Sequence, residues 1–185
     1  GTWLVARNPW PKNMDTWSHP RHHADGNAVS MDTLVGPPER VRWVAAATSE
    51  VEGLVSDAGR NFYGGLLARD SFNGLRLWHR DLRKGDHNSP NFTLPRISSD
   101  RSRPVVAGDR LIAFMNGALV ALDAATGEVR VTYAGTVRPQ DVQVHQETVI
   151  AADETHVRAY QAETGKELWT LALPDPRNLP ARRDA

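Results

Sequence analysis

The chain alternates short apolar runs with tight clusters of Gly, Asn, Asp and Thr, and one such pattern recurs. Leu66-Leu-Ala-Arg-Asp70-Ser-Phe-Asn-Gly74-Leu-Arg-Leu-Trp78, Leu119-Val-Ala-Leu-Asp123-Ala-Ala-Thr-Gly127-Glu-Val-Arg-Val131 and Val157-Arg-Ala-Tyr-Gln161-Ala-Glu-Thr-Gly165-Lys-Glu-Leu-Trp169 align without gaps. Each copy has an apolar strand, a polar residue (Asp70, Asp123 or Gln161), three turn residues, a Gly, and a large apolar residue four places later. Asp at the first turn position can accept hydrogen bonds from the N–H groups just ahead. Gly74, Gly127 and Gly165 supply the positive φ that closes such a turn at no steric cost. Trp78 and Trp169 fall on the outgoing strand, where a large ring can reach a neighbouring sheet, and Val131 is a smaller version of that contact. The runs are too short, and too rich in Val, Leu and aromatic residues, for amphipathic helices.

The middle copy predicts a four-stranded antiparallel sheet: Pro104 to Ala107, Arg110 to Met115, Ala118 to Asp123 and Val129 to Ala134. Asn116-Gly117 between the second and third strands is a type I′ hairpin signal. The third copy predicts strands at Val142 to Val144, Thr148 to Ala152, Val157 to Gln161 and Glu167 to Ala172. The first predicts Gly53 to Ser56, Arg60 to Tyr63, Leu66 to Asp70 and Leu75 to Trp78, with Gly64-Gly65 as its hairpin turn. Four short strands per unit, with Gly127 and Gly165 38 residues apart, fit the blade of a β-propeller. The spacing from Gly74 to Gly127 is 53, and the excess falls in 83–103, which predicts an inter-blade loop insertion where specificity would reside. The expected organisation is an N-terminal inter-blade segment rich in Trp, His and Pro (1–39), three blades (about 40–82, 104–135 and 140–173) and an extended tail (174–185). Three blades do not close a ring. The expectation is therefore a piece of a larger propeller of seven or eight blades, or association with further blades or other copies.

Charge and composition narrow the function classes. The 22 basic and 22 acidic side chains give a formal net charge of zero, without the basic footprint of a nucleic-acid binder. There is no Cys, so disulfides, thiolate nucleophiles and Cys-type zinc sites are excluded in this chain. No apolar run approaches the length of a membrane-spanning helix, and there is no signal peptide pattern. The first residue is Gly1 rather than Met, which fits a processed or partial chain. Walker A, Gly-x-Gly-x-x-Gly, Gly-x-Ser-x-Gly and His-Glu-x-x-His are all missing.

The stretch Ala121-Leu-Asp123-Ala-Ala-Thr126-Gly127-Glu128 resembles the tryptophan-docking repeat of quinoprotein dehydrogenases and their pyrroloquinoline-quinone (PQQ)-like relatives. So does Ala159-Tyr-Gln161-Ala-Glu-Thr164-Gly165-Lys166-Glu167-Leu-Trp169, with Gln161 where the family usually has Asp. The first copy keeps Asp70, Gly74 and Trp78 but has Asn73 in place of Thr. Pro9-Trp-Pro11, Asp15-Thr-Trp17-Ser-His19, Asp25-Gly-Asn27-Ala-Val29 and Asp32-Thr-Leu-Val-Gly-Pro-Pro38 resemble a block found between blades in large bacterial PQQ-like repeat proteins. The resemblance implies an all-β partial propeller and an exported, periplasmic or cell-envelope location. Its eight-bladed enzymes bind PQQ with Ca²⁺ on the propeller axis and often carry a vicinal Cys pair, which this chain lacks. Other members keep the blades without the cofactor.

Candidate chemistry outside the repeat is sparse. His19, His22 and His23, with Asp25 and Asp15 nearby, form a loop whose imidazoles and carboxylates could ligate Zn²⁺, Cu²⁺ or Fe²⁺. The spacing matches no closed structural metal motif, and the alternative is a polar inter-blade loop packed on the blades. His79, Asp81, Asp86 and His87 could line a pocket or sit in a solvated loop. Asp70 to Gly74 is not a calcium loop, because Phe72 stands where a ligand oxygen is required. Three functions follow. The first is a non-catalytic binding or scaffolding segment that takes a protein partner or small ligand through its inter-blade loops. The second is a segment of a PQQ- and Ca²⁺-dependent alcohol or sugar dehydrogenase. The third is a metal-binding module built on the His19/His22/His23 loop.

Overall fold

A computed structural model describes residues 11–34, 36, 39–44, 54–63, 66–80 and 103–174. The Gly64-Gly65 turn, nearly all of the 83–103 insertion, residues 1–10 and the tail beyond Pro174 lie outside the described residues. The rest is all-β, with twelve strands in three four-stranded antiparallel sheets. The first sheet comprises β1 (Val55–Asp57), β2 (Arg60–Tyr63), β3 (Leu67–Asp70) and β4 (Arg76–His79). The second comprises β5 (Val105–Ala107), β6 (Arg110–Met115), β7 (Ala118–Asp123) and β8 (Val129–Tyr133). The third comprises β9 (Asp141–His145), β10 (Thr148–Ala152), β11 (His156–Gln161) and β12 (Glu167–Ala172). Each sheet runs in sequence order, every strand paired with its chain neighbour. The first blade differs most from expectation: its outer strands lie later, at Val55–Asp57 and Arg76–His79. The third-to-fourth strand register slips there between Ala68 and Arg69. The same slip recurs at Ala121/Leu122 and at Ala159/Tyr160, so each blade carries a bulge at one repeat position. A bulge there adds right-handed twist to the outer edge of the sheet.

The turns follow from their residues. Asn116 and Gly117 have φ of 53° and 84°, the two positive values that a type I′ hairpin requires. Between β3 and β4, and between β7 and β8, Asp70 Oδ1 and Asp123 Oδ1 each accept two backbone N–H bonds, from Phe72 and Asn73 and from Ala125 and Thr126. In the third blade the longer Gln161 accepts the Thr164 hydroxyl at 2.8 Å instead.

Two apolar clusters hold the sheets together. One joins the first and second sheets through Val55, Phe62, Ala68, Val106, Leu111 and Leu122. The other joins the second and third through Val105, Ile112, Leu119, Tyr133, Val142 and Tyr160. The middle sheet therefore buries both faces, which is why β6 and β7 read as nearly continuous apolar runs. The third sheet buries one face, and β9 alternates accordingly, with Val142 and Val144 inside and Asp141 and His145 outside. All six residues of β12 are exposed. No helix among the described residues is long and apolar enough to cross a membrane.

Candidate functional site

Two features stand out: the joints between blades, and an N-terminal strap laid across all three.

At each joint a large side chain of one unit covers the turn glycine of the next. A Cβ placed on Gly127 would lie 2.7 Å from Trp78 Cδ2, so the indole rests directly on that turn and only Gly fits beneath it. Trp78 Nε1 donates to the Ala124 carbonyl at 3.0 Å, and the ring packs against Phe62. Trp43 does the same to the first blade: it covers Gly74 and donates Nε1–H to the Ser71 carbonyl at 3.2 Å. Sequence reasoning missed Trp43 because Glu39 stands four places before it, where the repeat has its glycine. The signal was a Trp just ahead of the first recognisable blade. At the third joint the cover over Gly165 is Val131 together with the Thr132 carbonyl. The hydrogen bond has moved two residues along the same strand, where Tyr133 Oη donates to the Ala162 carbonyl at 2.7 Å. Residues two apart share a strand face, so the shift keeps the donor pointing at the same carbonyl position. Burial pushes the Tyr133 phenol up to about 12, which keeps it protonated as the donor. Trp169 holds on β12 the position Trp78 holds on β4. It is 47% exposed, beside exposed Leu168 and Leu171.

The strap lies on the opposite edge. β1 stands beside β5, and β5 beside β9, so the first strands of the three sheets line one inner side. Each is the edge of its sheet and needs partners for its outward backbone groups. Ser56, Val106 and Val144 occupy equivalent positions there, paired with Asn61, Leu111 and Val149. Three consecutive strap residues meet them in order. Trp17 and Ser56 exchange both backbone bonds, at 2.8 and 2.7 Å. The Ser18 carbonyl accepts from Val106 N–H at 2.9 Å. The buried His19 ring accepts Val144 N–H on Nε2 at 3.1 Å. That bond requires a bare Nε2, which leaves Nδ1–H to donate to Ser18 Oγ at 2.8 Å. Burial holds the His19 ring below the ordinary histidine value of 6.5.

Of the sequence candidates for metal binding, the structure groups His22 and His23 with Asp15; His19 is engaged on β9, and Asp25 caps Asn27 N–H at 3.0 Å. Asp15 Oδ2 accepts from Met31 N–H and Ser30 Oγ and lies 2.7 Å from His22 Nε2, while Oδ1 accepts Thr16 N–H. Burial would raise the Asp15 carboxyl, but these hydrogen bonds outweigh it and hold the group well below the usual carboxylate range. Of His79, Asp81, Asp86 and His87, only His79 is among the described residues, on β4.

Comparison with known proteins agrees with this geometry. The PQQ_2 family model, described as outer membrane protein assembly factor BamB, matches residues 64–185, more than half of the chain. The chain belongs to this family. A europium-containing methanol dehydrogenase superposes on 87% of the chain and 32% of its own length, with a TM-score of 0.56 and 13% identity. Quinohemoprotein alcohol dehydrogenase ADHIIG from Pseudomonas putida HK5 does so over 89% and 28%, at 0.50 and 19% identity. BamB from Moraxella catarrhalis aligns over 64% and 32%, with a TM-score of 0.41 and 22% identity. At these identities the two dehydrogenases show a likeness of fold alone, and the chain spans about a third or less of the length of each of the three structures. No curated protein matches the chain. The strap takes backbone groups on all three inner strands. The cluster beside it offers two imidazoles and one carboxylate, whereas Ca²⁺ takes six to eight oxygen ligands.

Proposed function

We propose that this PQQ_2-type chain is a non-catalytic binding or scaffolding array of propeller blades in an exported bacterial protein of the periplasm or cell envelope. The observation that carries the reading is where the repeat's chemistry goes. The turn Asp residues close their own turns, and the turn Gly residues, Trp43, Trp78 and Tyr133 join one blade to the next. A blade array of this kind presents rigid sheets with variable loops between them, and a partner is recognised through those loops. The connection between β8 and β9 is one such loop, with Val137 well exposed on it.

Photo-crosslinking tests this. A crosslinker at Val137 is expected to give one discrete protein adduct in an envelope fraction, and a crosslinker at exposed Lys166, on the β11–β12 turn, is expected to give none. In parallel, incubation with PQQ and Ca²⁺ is expected to leave dye-linked alcohol and sugar oxidation at background. Turnover in that assay would replace the scaffold reading with the quinoprotein one.

A further inference from the structure

The Asp15–His22–His23 cluster brings two imidazoles and a carboxylate together on the strap loop. The ligand-type atoms of the three residues all lie within 4.8 Å of one another. His22 is 3% exposed and has a positive φ of 77°, a conformation uncommon outside Gly. It is held there by a bridge in which His19 and His22 exchange both backbone bonds at 3.1 Å.

The outer ring nitrogens are taken. His22 Nδ1 lies 3.1 Å from the Asn27 carbonyl, which can only accept, so Nδ1 carries the proton. His23 Nδ1 lies 3.1 Å from Ser18 Oγ. One assignment satisfies every partner of Ser18: its oxygen accepts Nδ1–H from His19 and from His23, and its own hydrogen goes to the His22 carbonyl at 3.3 Å. When His22 is an imidazolium its Nε2–H donates to Asp15; when it is neutral, both inner nitrogens, His22 Nε2 and His23 Nε2, present lone pairs to the Asp15 carboxylate. They stand 2.7 Å from Oδ2 and 3.6 Å from Oδ1, the second too far for a hydrogen bond. The two rings are only 3.9 Å apart between centroids. A divalent cation can take the place of the proton on His22 Nε2, because two imidazole nitrogens and a carboxylate oxygen lie within 4.8 Å of one another there.

We infer that Asp15, His22 and His23 form a binding site for a divalent transition metal of the Zn²⁺ class, which locks the strap onto the blades. Two imidazoles and one carboxylate are the donor set for zinc rather than for calcium or magnesium. Each ligating ring donates its other N–H to a fixed outer partner, as metal-bound histidines do. Three protein ligands leave a fourth position for water, and His23, 41% exposed, is the most solvent-accessible of the three. The site sits on the loop that continues from the strap, so occupancy would couple residues 15–31 to the contacts that Trp17, Ser18 and His19 make with the three sheets.

The test uses the untagged full chain, stripped with chelator and titrated with Zn²⁺ by calorimetry, with Co²⁺ absorption as a second readout. One equivalent of Zn²⁺ is expected, with a rise in thermal midpoint. His23→Ala removes an exposed ligand without opening the core, and should weaken binding by about tenfold or more and abolish the thermal rise. Asp15→Asn should do the same in the Co²⁺ spectrum. His145→Ala, an exposed histidine on β9, should bind as the wild-type chain does. A folded wild-type chain that takes up no stoichiometric zinc would overturn the site. So would equal losses in His23→Ala and His145→Ala, which mark casual surface-histidine binding. None of these readouts depends on a protein partner, so the result stands apart from the scaffold reading.

Discussion

At the scale of single residues, the turn glycines show how one missing carbon sets a blade joint. Gly127 needs Gly for two separable reasons: its φ of +72° and the Trp78 ring lying on it. Gly108 shares the positive φ, at +60°, but a Cβ there would meet nothing within 4 Å. Gly108→Ala is therefore expected to cost about 1 kcal/mol, from backbone strain alone. Gly127→Ala should cost about 3 kcal/mol, because the indole must also lift. Urea denaturation of the two variants separates the effects. Gly127 was legible in the sequence, since the positive-φ requirement is local. The ring overhead was only half legible, because a Trp four places after a glycine does not say which turn it covers.

Asp153, buried between β10 and β11, illustrates residue-scale electrostatics. Burial would raise its carboxyl. Bonds from Thr155 N–H, Thr155 Oγ1, His156 N–H and Arg158 Nη1 outweigh that and place it well below the usual range. A carboxyl depressed in the folded state adds stability above its unfolded value of about 4, and that stability is lost as pH falls below it. Asp153→Asn should thus be less stable than wild type by about 2 kcal/mol near neutral pH. The gap should close as pH falls below about 4, in denaturant midpoints measured across that range.

At the scale of elements, one strand shows how burial rewrites a pattern. β8 and β12 are both fourth strands, yet β8 ends on buried Tyr133 and β12 is exposed along its whole length. The difference lies in what packs on them: β8 carries the third blade, and among the described residues no turn glycine sits under Trp169. An exposed edge strand bearing Leu168, Trp169 and Leu171 is a template for association. Trp169→Ser is expected to reduce concentration-dependent self-association with little change in thermal midpoint. Sedimentation velocity over a concentration series checks it, and an unchanged profile would show that β12 is not the contacting edge. The strand positions were readable because each is set by local alternation between glycine-rich turns. The first blade was read least well, since its joint partner Trp43 belongs to a segment without the repeat.

For the molecule as a whole, the strap adds a second tie to three sheets that the two apolar clusters already join. Its bonds join residue 17 to β1, residue 18 to β5 and residue 19 to β9. His19→Ala should leave the Val144 N–H buried without a partner, at a cost of about 1–3 kcal/mol. The signature in hydrogen exchange is specific: the Val144 amide should lose protection, while Val149 and Ala159 on inner strands of the same sheet keep theirs.

Strand order, turn type and blade repeat could be read from residues a few places apart, because alternation, Asp-to-amide bonds and positive φ act over that distance. The pairing of His19 with Val144 and the replacement of Trp by Tyr133 at the third joint could not. Each depends on where sheets stand relative to one another, and that placement comes from burying the shared faces of the two apolar clusters rather than from any local rule.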